Sequence, residues 1–253
     1  MNSLLKGKNI FITGAGGNIG RSVAIESAKH GANVYFTDID NRRLKSLERV
    51  LSQYPTRSQG FQLDITKTKD IDLLYQRLSN VMPRFHVLCN NVGLQGQVTD
   101  KFEINLSKWR QMFEVNVFGP MYLTQLFSER MIAGHIAGSI IFVTSIHQWN
   151  VRRIASYSAT KGALGMIIKE LAVELAPFGI RVNGIAPGYV DDDKKGASLP
   201  HPPTPLYKSS IPPAYIARTF IYLASDYFSK FTTGSVVTID AGLSMVNHLA
   251  ETD

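Results

Sequence analysis

Tyr157 and Lys161 are the residues of this sequence whose types and spacing first suggest chemistry. They lie four positions apart in ASYSATKGAL (155–164), where the pattern predicts a helix, so the phenol and the ammonium share one face. A tyrosine has a pKa of about 10, and a cation within about 4–6 Å lowers that value by roughly 1–3 pH units. The pair therefore predicts a general acid and base that works near neutral pH. On these ten residues alone, a chance spacing of two surface side chains is the competing interpretation.

Apolar runs of strand length alternate with helical segments along the whole chain of 253 residues. The runs are continuously apolar, which is typical of strands that are covered on both faces. The predicted strands are 9–14, 33–38, 60–64, 86–90, 139–145, 181–187 and 235–240, and the predicted helices include 19–30, 41–53, 68–81, 107–132, 157–176 and 213–224. This alternation predicts an α/β fold: a Rossmann-like, doubly wound parallel sheet of seven strands with helices on both faces.

The chain has no composition shift that would mark a linker, so we predict a single domain over residues 1–253. One segment interrupts the alternation, at 191–213, and it is rich in proline, serine and charge. A loop of this length in a compact domain is usually functional, so the segment is predicted to be a lid over a substrate.

Glycines and polar residues follow the predicted strands at their carboxyl ends. They follow the first six predicted strands and are Gly14, Asp38, Asp64, Asn90, Asn91, Ser145, Pro187 and Gly188. The carboxyl ends of parallel strands lie at one edge of the sheet, where open α/β sheets bind their ligands. The sequence therefore predicts one site along this edge.

The turn after the first strand, TGAGGNIG (13–20), predicts a dinucleotide site. Glycines there allow a tight turn and a close approach of the backbone to a diphosphate at the start of a helix. Asn18 is the non-glycine residue type that best tolerates a positive φ, so we expect it to preserve the turn. Asp38 lies eighteen residues after Gly20 and is predicted to accept the ribose 2′-hydroxyl, which favours NAD over NADP. The arginines at 42–43 are interpreted as the exposed start of the next helix.

Together these motifs resemble those of the short-chain dehydrogenase/reductase family in its single-domain type, and the resemblance extends in order along nearly the whole chain. The matching stretches are TGAGGNIG, with Asn18 in place of the middle glycine, and then LDIT (63–66), NNVG (90–93), EVNVFG (114–119), VTS (143–145), YSATK (157–161), IRVNGIAPGYV (180–190) and TTGSVVTIDAGLSM (232–245). The resemblance implies an NAD(P)-binding Rossmann domain.

The resemblance also implies roles for individual residues. The implied catalytic residues are Asn116, Ser145, Tyr157 and Lys161. Tyr157 would exchange the proton, Lys161 would also bind the nicotinamide ribose, Ser145 would hold the substrate oxygen, and Asn116 would hold a water. The implied cofactor contacts are Gly14, Asn18, Ile19, Gly20, Asp38, Asp64, Ile65, Asn91, Tyr157, Lys161, Pro187, Gly188 and Val190. Asp192 stands where the family pattern has a threonine near the nicotinamide carboxamide, and an ionised aspartate cannot donate a hydrogen bond there.

The residues after the implied catalytic serine, His147, Gln148 and Trp149, are candidates for the wall of a substrate pocket. We predict substrate contacts from Ser145, His147, Trp149 and Tyr157, with Gln148 as a hydrogen-bonding partner. An indole face and an amide suit a sugar, a polyol or a cyclic alcohol; a biosynthetic keto intermediate is also compatible. A partly exposed loop with no substrate role is the alternative.

The predicted function is an NAD-dependent alcohol dehydrogenase or ketoreductase that interconverts a secondary alcohol and a ketone by hydride transfer. The alternatives are a non-catalytic NAD(H)-binding regulatory protein of the same fold and a 3-oxoacyl thioester reductase. The helix at 157–176 is apolar around much of its circumference. The resemblance implies that it lies in a subunit interface, so a homotetramer or dimer is expected, unless the helix is simply deeply buried in a monomer.

Composition argues against other classes of protein. The net charge is +7, but the basic residues are scattered and show no nucleic-acid-binding motif, so no nucleic-acid partner is expected. No apolar stretch reaches the length of a membrane span and no secretory signal is recognisable, so no membrane partner is expected. The pattern shows no cluster of metal ligands, and Cys89 is the one cysteine, which fits a reducing, cytoplasmic location.

Overall fold

The fold is one parallel sheet between two layers of helices. A computed structural model of the chain describes residues 3–95, 104–151, 153–191 and 204–246. Its strands are β1 (Asn9–Ile12), β2 (Asn33–Asp38), β3 (Ser58–Gln62), β4 (Val87–Asn90), β5 (Ser139–Val143), β6 (Arg181–Pro187) and β7 (Val236–Ile239). They form a seven-stranded parallel sheet in the order β3-β2-β1-β4-β5-β6-β7. The predicted doubly wound sheet is confirmed, and its topology reverses between β1 and β4.

The helices follow the predicted positions except at one place. They are α1 (Asn18–Lys29), α2 (Asn41–Leu51), α3 (Thr68–Val81), α4 (Leu106–Phe113), α5 (Gly119–Ala133), α6 (Ala155–Leu175), α7 (Pro213–Ala224) and α8 (Asp226–Ser229). The helix predicted at 107–132 corresponds to one continuous stretch of helical backbone at 106–133, but the prediction missed an irregularity within it. The structure divides it into α4, a π-helical turn at Glu114–Phe118, and α5.

Pro120 explains this division. It has no N–H to donate to the carbonyl of Asn116, and its ring crowds that carbonyl, so a regular α-helix cannot pass through. Gly119 lies directly before it, and a β-carbon there would collide with the carbonyl oxygen of Ile65. The π-helical turn carries Asn116, which is 1% exposed, into the interior.

Two apolar clusters fill the space on either side of the sheet. One lies between the sheet and α1, α2 and α7 and includes Phe36, Leu47 and Phe220. The other lies under α3, α5 and α6 and includes Phe11 and Phe127. Strands β1, β4, β5 and β6 are buried along their entire length, which explains why their sequences are mostly apolar rather than alternating, although β6 also buries Arg181 and Asn183. None of the described helices is both long and apolar enough to cross a membrane.

Candidate active site

The candidate site lies along the carboxyl edge of the sheet, around the reversal between β1 and β4. Gly14 makes the turn out of β1 with a φ of +64°, a conformation that a side chain would strain. A β-carbon on Gly20 would lie 2.5 Å from the Gly14 carbonyl oxygen and 2.6 Å from Asn91 Nδ2. Glycine at position 20 therefore lets α1 approach the turn this closely.

The start of α1 suits an anion. Gly17 precedes the helix and has no side chain to cap it, and the first turn contains no acidic residue. The first backbone N–H groups of a helix and its dipole both attract negative charge. This turn, in which Gly14 and Gly20 let the backbone segments pack closely, therefore fits the diphosphate of a dinucleotide. Ile19 of the same turn packs against the core beneath it.

The backbone of Asn18 differs from the sequence expectation of a positive φ. Asn18 is the first residue of α1 and has no positive φ, because Gly14 already supplies the left-handed turn. Its side-chain amide instead donates a hydrogen bond of 2.6 Å to the carbonyl oxygen of Asp191, beyond β6. A side chain at this position therefore needs no glycine-like backbone.

Asp38 closes β2 beside the glycine turn and is 8% exposed. Its two carboxylate oxygens accept hydrogen bonds of 2.9 Å from the backbone N–H groups of Gly16 and Asp40. Arg42 and Arg43 are both exposed, as predicted, with 94% and 53% of their side chains accessible, and the Arg43 β-carbon lies where it would touch a side chain placed on Gly16. Arg43 thus lies closer to the candidate ribose site than the sequence suggested.

Asp64 and Ile65 lie just beyond β3, two and three residues after its end. The Asp64 carboxylate accepts a 2.7 Å hydrogen bond from the Thr66 hydroxyl and a second from its backbone N–H. The Thr66 hydroxyl is the largest influence that lowers the Asp64 pKa. Ile65 is buried and its carbonyl contacts Gly119, so these two predicted cofactor contacts lie where the sheet edge meets α5.

Asn91 fastens the end of β4 to the glycine turn. Its side-chain amide lies 3.0 Å from the carbonyl oxygens of both Thr13 and Gly14. The Thr13 hydroxyl in turn accepts hydrogen bonds of 3.1 Å from the backbone N–H groups of Asn91 and Val92. Thr13 was missed by the sequence reasoning, although its place directly before Gly14 was a usable signal.

Pro187, Gly188 and Val190 follow β6 on the far side of the site. A β-carbon on Gly188 would lie 2.7 Å from the Asp240 α-carbon, so glycine lets this turn pass against the end of β7. Val190 pairs with Ile211, and these contacts fix both ends of the predicted lid. Residues 192–203, which include Asp192 and most of the lid, lie outside the described residues.

The structure brings together Ser145, Tyr157 and Lys161. Ser145 comes two residues after β5 and is 6% exposed. Its hydroxyl lies beside the Tyr157 side chain and acts to lower the pKa of that phenol. The Lys161 ammonium lies 5.5 Å from the centre of the Tyr157 ring, and it donates a 3.0 Å hydrogen bond to the carbonyl oxygen of Val143. Phenol and ammonium share one face of α6, as the spacing predicted.

The pKa shifts of this pair differ from the sequence expectation. Burial raises the pKa of Tyr157, and the Ser145 hydroxyl only partly opposes that effect. Burial also lowers the pKa of Lys161 to about 8. The predicted lowering of the Tyr157 pKa is therefore wrong for the protein chain by itself, because removal from water penalises the phenolate more than its neighbours stabilise it.

Asn116 connects the π-helical turn to α6. Its carbonyl oxygen accepts a 2.7 Å hydrogen bond from the Leu94 N–H, and its amide donates to the Leu94 carbonyl and to the Thr160 hydroxyl, both at 3.0 Å. Thr160 is fully buried and donates a 2.7 Å hydrogen bond to the Tyr157 carbonyl. The side chain of Asn116 is thus engaged by protein atoms, and its predicted water-holding role stays a prediction. Thr160 was also missed, although a polar residue on an apolar helix face was a signal.

The three residues after Ser145 and Ile146 have different surroundings. The His147 ring lies 5.0 Å from the Tyr157 ring, and Trp149 is half exposed at the rim. The Gln148 amide instead donates to the Thr144 hydroxyl at 3.2 Å, and its other end lies against Gly165 of α6. Gln148 therefore points into the protein, and the expected hydrogen bond from Gln148 to a substrate stays a prediction. Among the described residues, no group of three or more His, Cys, Asp or Glu side chains is arranged to hold a metal.

Comparisons with known proteins agree with this geometry. The sequence profile of a family described as short chain dehydrogenase matches residues 8–201. The chain is 32% identical to the 3-oxoacyl-(acyl-carrier-protein) reductase FabG of Thermotoga maritima, covering 94% of this chain and 98% of that protein. It is 29% identical to the 7alpha-hydroxysteroid dehydrogenase of Escherichia coli, covering 95% and 96%. The crystal structure of acetoin dehydrogenase YohF from Salmonella typhimurium superimposes with a TM-score of 0.84 at 28% identity, over 95% of this chain and 98% of that one.

Proposed function

Because the chain belongs to the short-chain dehydrogenase/reductase family, we propose that this oxidoreductase uses NAD to interconvert a secondary alcohol and a ketone. The observation that supports this proposal is the contact between Ser145 and Tyr157, with Lys161 beside them, next to a glycine turn shaped for a diphosphate. We propose further that residues 1–253 form one NAD(P)-binding domain, with the substrate lid at 191–213.

Asp38 supports NAD as the cofactor. Its carboxylate is fixed by two backbone N–H groups at the end of β2, where a ribose hydroxyl can donate to it. A 2′-phosphate at the same place would be repelled by the Asp38 carboxylate, whereas the guanidinium of the nearby Arg43 would attract the phosphate. We place more weight on Asp38, because its carboxylate is held beside the turn while the Arg43 side chain is half exposed and lies within 3.8 Å of Asp40.

Tyr157 is the proposed proton donor and acceptor. A bound nicotinamide supplies or accepts the hydride at the substrate carbon. During ketone reduction Tyr157 gives its proton to the substrate oxygen, and during alcohol oxidation it takes that proton away. Its raised pKa keeps it protonated in the chain by itself, which suits reduction. Ser145, which lies beside Tyr157, would orient the substrate oxygen.

The proposed substrate is a sugar, a polyol, a cyclic alcohol or a biosynthetic keto intermediate. The half-exposed indole of Trp149 at the rim offers a flat apolar face to such a ring. A 3-oxoacyl thioester is the second candidate, because a relative with that activity in its name is 32% identical over nearly its whole length. A non-catalytic NAD(H)-binding regulator would have no need for the buried Asn116, Ser145 and Lys161 together.

A substrate screen tests this function. The purified protein is mixed with panels of sugars, polyols, cyclic ketones and 3-oxoacyl thioesters, together with NADH or NAD or, in parallel, with NADPH or NADP. The fluorescence of the reduced cofactor is followed. We expect turnover with at least one panel and faster turnover with NADH than with NADPH. NADH binding without turnover in any panel would favour the regulatory protein, and a preference for NADPH would contradict the role given to Asp38.

We also propose a homotetramer, or at least a dimer, formed through two apolar surfaces. The first is a groove of about 530 Å³ between α5 and α6, lined by Met121, Ile132 and Leu171 among others. Val173 of α6 is 75% exposed. The second surface, at α7 and the segment after it, carries Tyr222, Phe228 and Phe231, the last 96% exposed. Sedimentation at micromolar concentration tests this, since a monomer would contradict it.

The predicted cytoplasmic location remains part of the proposal. It rests on the single buried cysteine, Cys89, which leaves the chain without an internal disulfide. Fractionation of cells that produce the protein is the measurement that checks it.

A further inference from the structure

His147 contacts both Ser145 and Tyr157, the two residues that are proposed to contact the substrate oxygen. Its backbone N–H donates a 3.2 Å hydrogen bond to the Ser145 hydroxyl. Its ring meets the Tyr157 ring edge to face, with the centres 5.0 Å apart and the planes at 79°. This is a favourable geometry for an aromatic pair.

The His147 ring is also held in place by Ser158, the residue that follows Tyr157 in α6. Its Nδ1 lies 3.3 Å from the hydroxyl oxygen of Ser158, within hydrogen-bonding distance. Ser158 is the neighbour of Tyr157 on the same helical turn, so the imidazole is attached to α6 on one side and to the turn after β5 on the other. Motion of Tyr157 relative to Ser145 would have to break one of these contacts.

From these contacts we propose that His147 is a positioning residue that keeps the Tyr157 hydroxyl aligned with Ser145. The inference rests on the proposed function, in which Tyr157 exchanges the proton. It adds to the expected contact of His147 with the substrate, which stays a prediction. The required effect is on the rate of proton transfer rather than on substrate affinity, because a phenol that leaves its place no longer reaches the substrate oxygen.

Kinetics of three variants test the proposal, with the substrate found in the screen. His147→Ala removes the ring and should lower kcat about 2- to 13-fold, the range expected from the strength of an aromatic pair, with KM changed less than twofold. His147→Phe retains the ring contact and should recover most of that loss. Ser158→Ala frees the imidazole and should give a smaller loss of kcat. His30→Ala, at the C-terminal end of α1 and away from the site, is the matched control and should behave as the wild type.

The possible outcomes separate the inference from the function. An unchanged kcat in His147→Ala, or an increase of KM alone, overturns the positioning role while Tyr157→Phe remains inactive. Full activity of Tyr157→Phe overturns the proposed function itself. A loss in His147→Ala that His147→Phe does not recover overturns the role of ring packing. Circular dichroism and NADH affinity, measured on each variant, identify any variant whose fold has changed, and the Ser158→Ala result then decides.

Discussion

Replacing Gly20 by alanine should damage both the fold and the cofactor site. The new β-carbon would lie 2.5 Å from the Gly14 carbonyl oxygen, 2.6 Å from Asn91 Nδ2 and 2.8 Å from the Ala15 α-carbon. Two of these three neighbours are backbone atoms, which cannot rotate away, so the start of α1 must move outward by several tenths of an ångström. Overpacking of this kind costs about 1–3 kcal/mol. We expect the free energy of unfolding to fall by that amount.

NADH binding should weaken at the same time, because the N–H groups that face the diphosphate move with α1. If even half of the strain reappears in binding, the affinity falls roughly threefold to tenfold. Urea unfolding and fluorescence titration with NADH measure the two effects on one preparation. A Gly20→Ala protein with the wild-type stability and affinity would refute the steric argument.

Gly162→Ala is the matched control for this experiment. Gly162 is also a helical glycine, but the nearest atom to its β-carbon would be the Gln148 carbonyl oxygen at 3.8 Å, an ordinary contact. Alanine in a helix is more stable than glycine by about 0.5–1 kcal/mol. The control should therefore be neutral or stabilised, opposite in sign to Gly20→Ala.

Three further predictions concern single residues. Asp38→Ala should raise the ratio of kcat/KM for NADPH to that for NADH by about fivefold or more. The reason is that two unit charges ~4 Å apart, here the carboxylate and the 2′-phosphate, repel by ~1 kcal/mol even in water. An unchanged ratio would contradict the role of this carboxylate. Thr160→Val should lower the free energy of unfolding by about 1–3 kcal/mol in urea titrations, because the Asn116 amide loses a buried acceptor, and an unaltered midpoint would count against this network. Burial lowers the pKa of Lys161 from 10.5 to about 8, so unfolding takes up a proton between these values. The wild type should therefore gain stability relative to Lys161→Met as the pH rises from about 8 to 10.5, and a parallel pH dependence of the two proteins would contradict the shift.

Much of the fold could be predicted from the sequence because burial on both faces leaves a strong signal. Strand β5 is buried throughout and is apolar apart from its first residue, whereas β6 is buried throughout although it contains Arg181 and Asn183. The edge strand β3 is only partly buried, and its predicted position was two residues too late. The break at Pro120 was readable from the missing N–H of proline, but the apolar pattern continues through it and concealed the π-helical turn.

The positions of the candidate site residues were also predictable, whereas the directions of their side chains were not. Helical spacing placed Tyr157 and Lys161 on one face. Spacing does not reveal that the Lys161 ammonium donates to the Val143 carbonyl, or that Gln148 turns towards Thr144. The sign of the Tyr157 pKa shift depends on how much water burial removes, and that quantity is a property of the packed structure.

The proton-transfer role of Tyr157 is tested by the turnover of Tyr157→Phe, measured beside its affinity for NADH. The substitution removes one hydroxyl and leaves the ring that packs against His147. We predict that NADH binds as tightly as it does to the wild type, while kcat falls at least about 100-fold, the lower range of general acid–base contributions. Turnover close to that of the wild type, with NADH bound normally, would contradict the account.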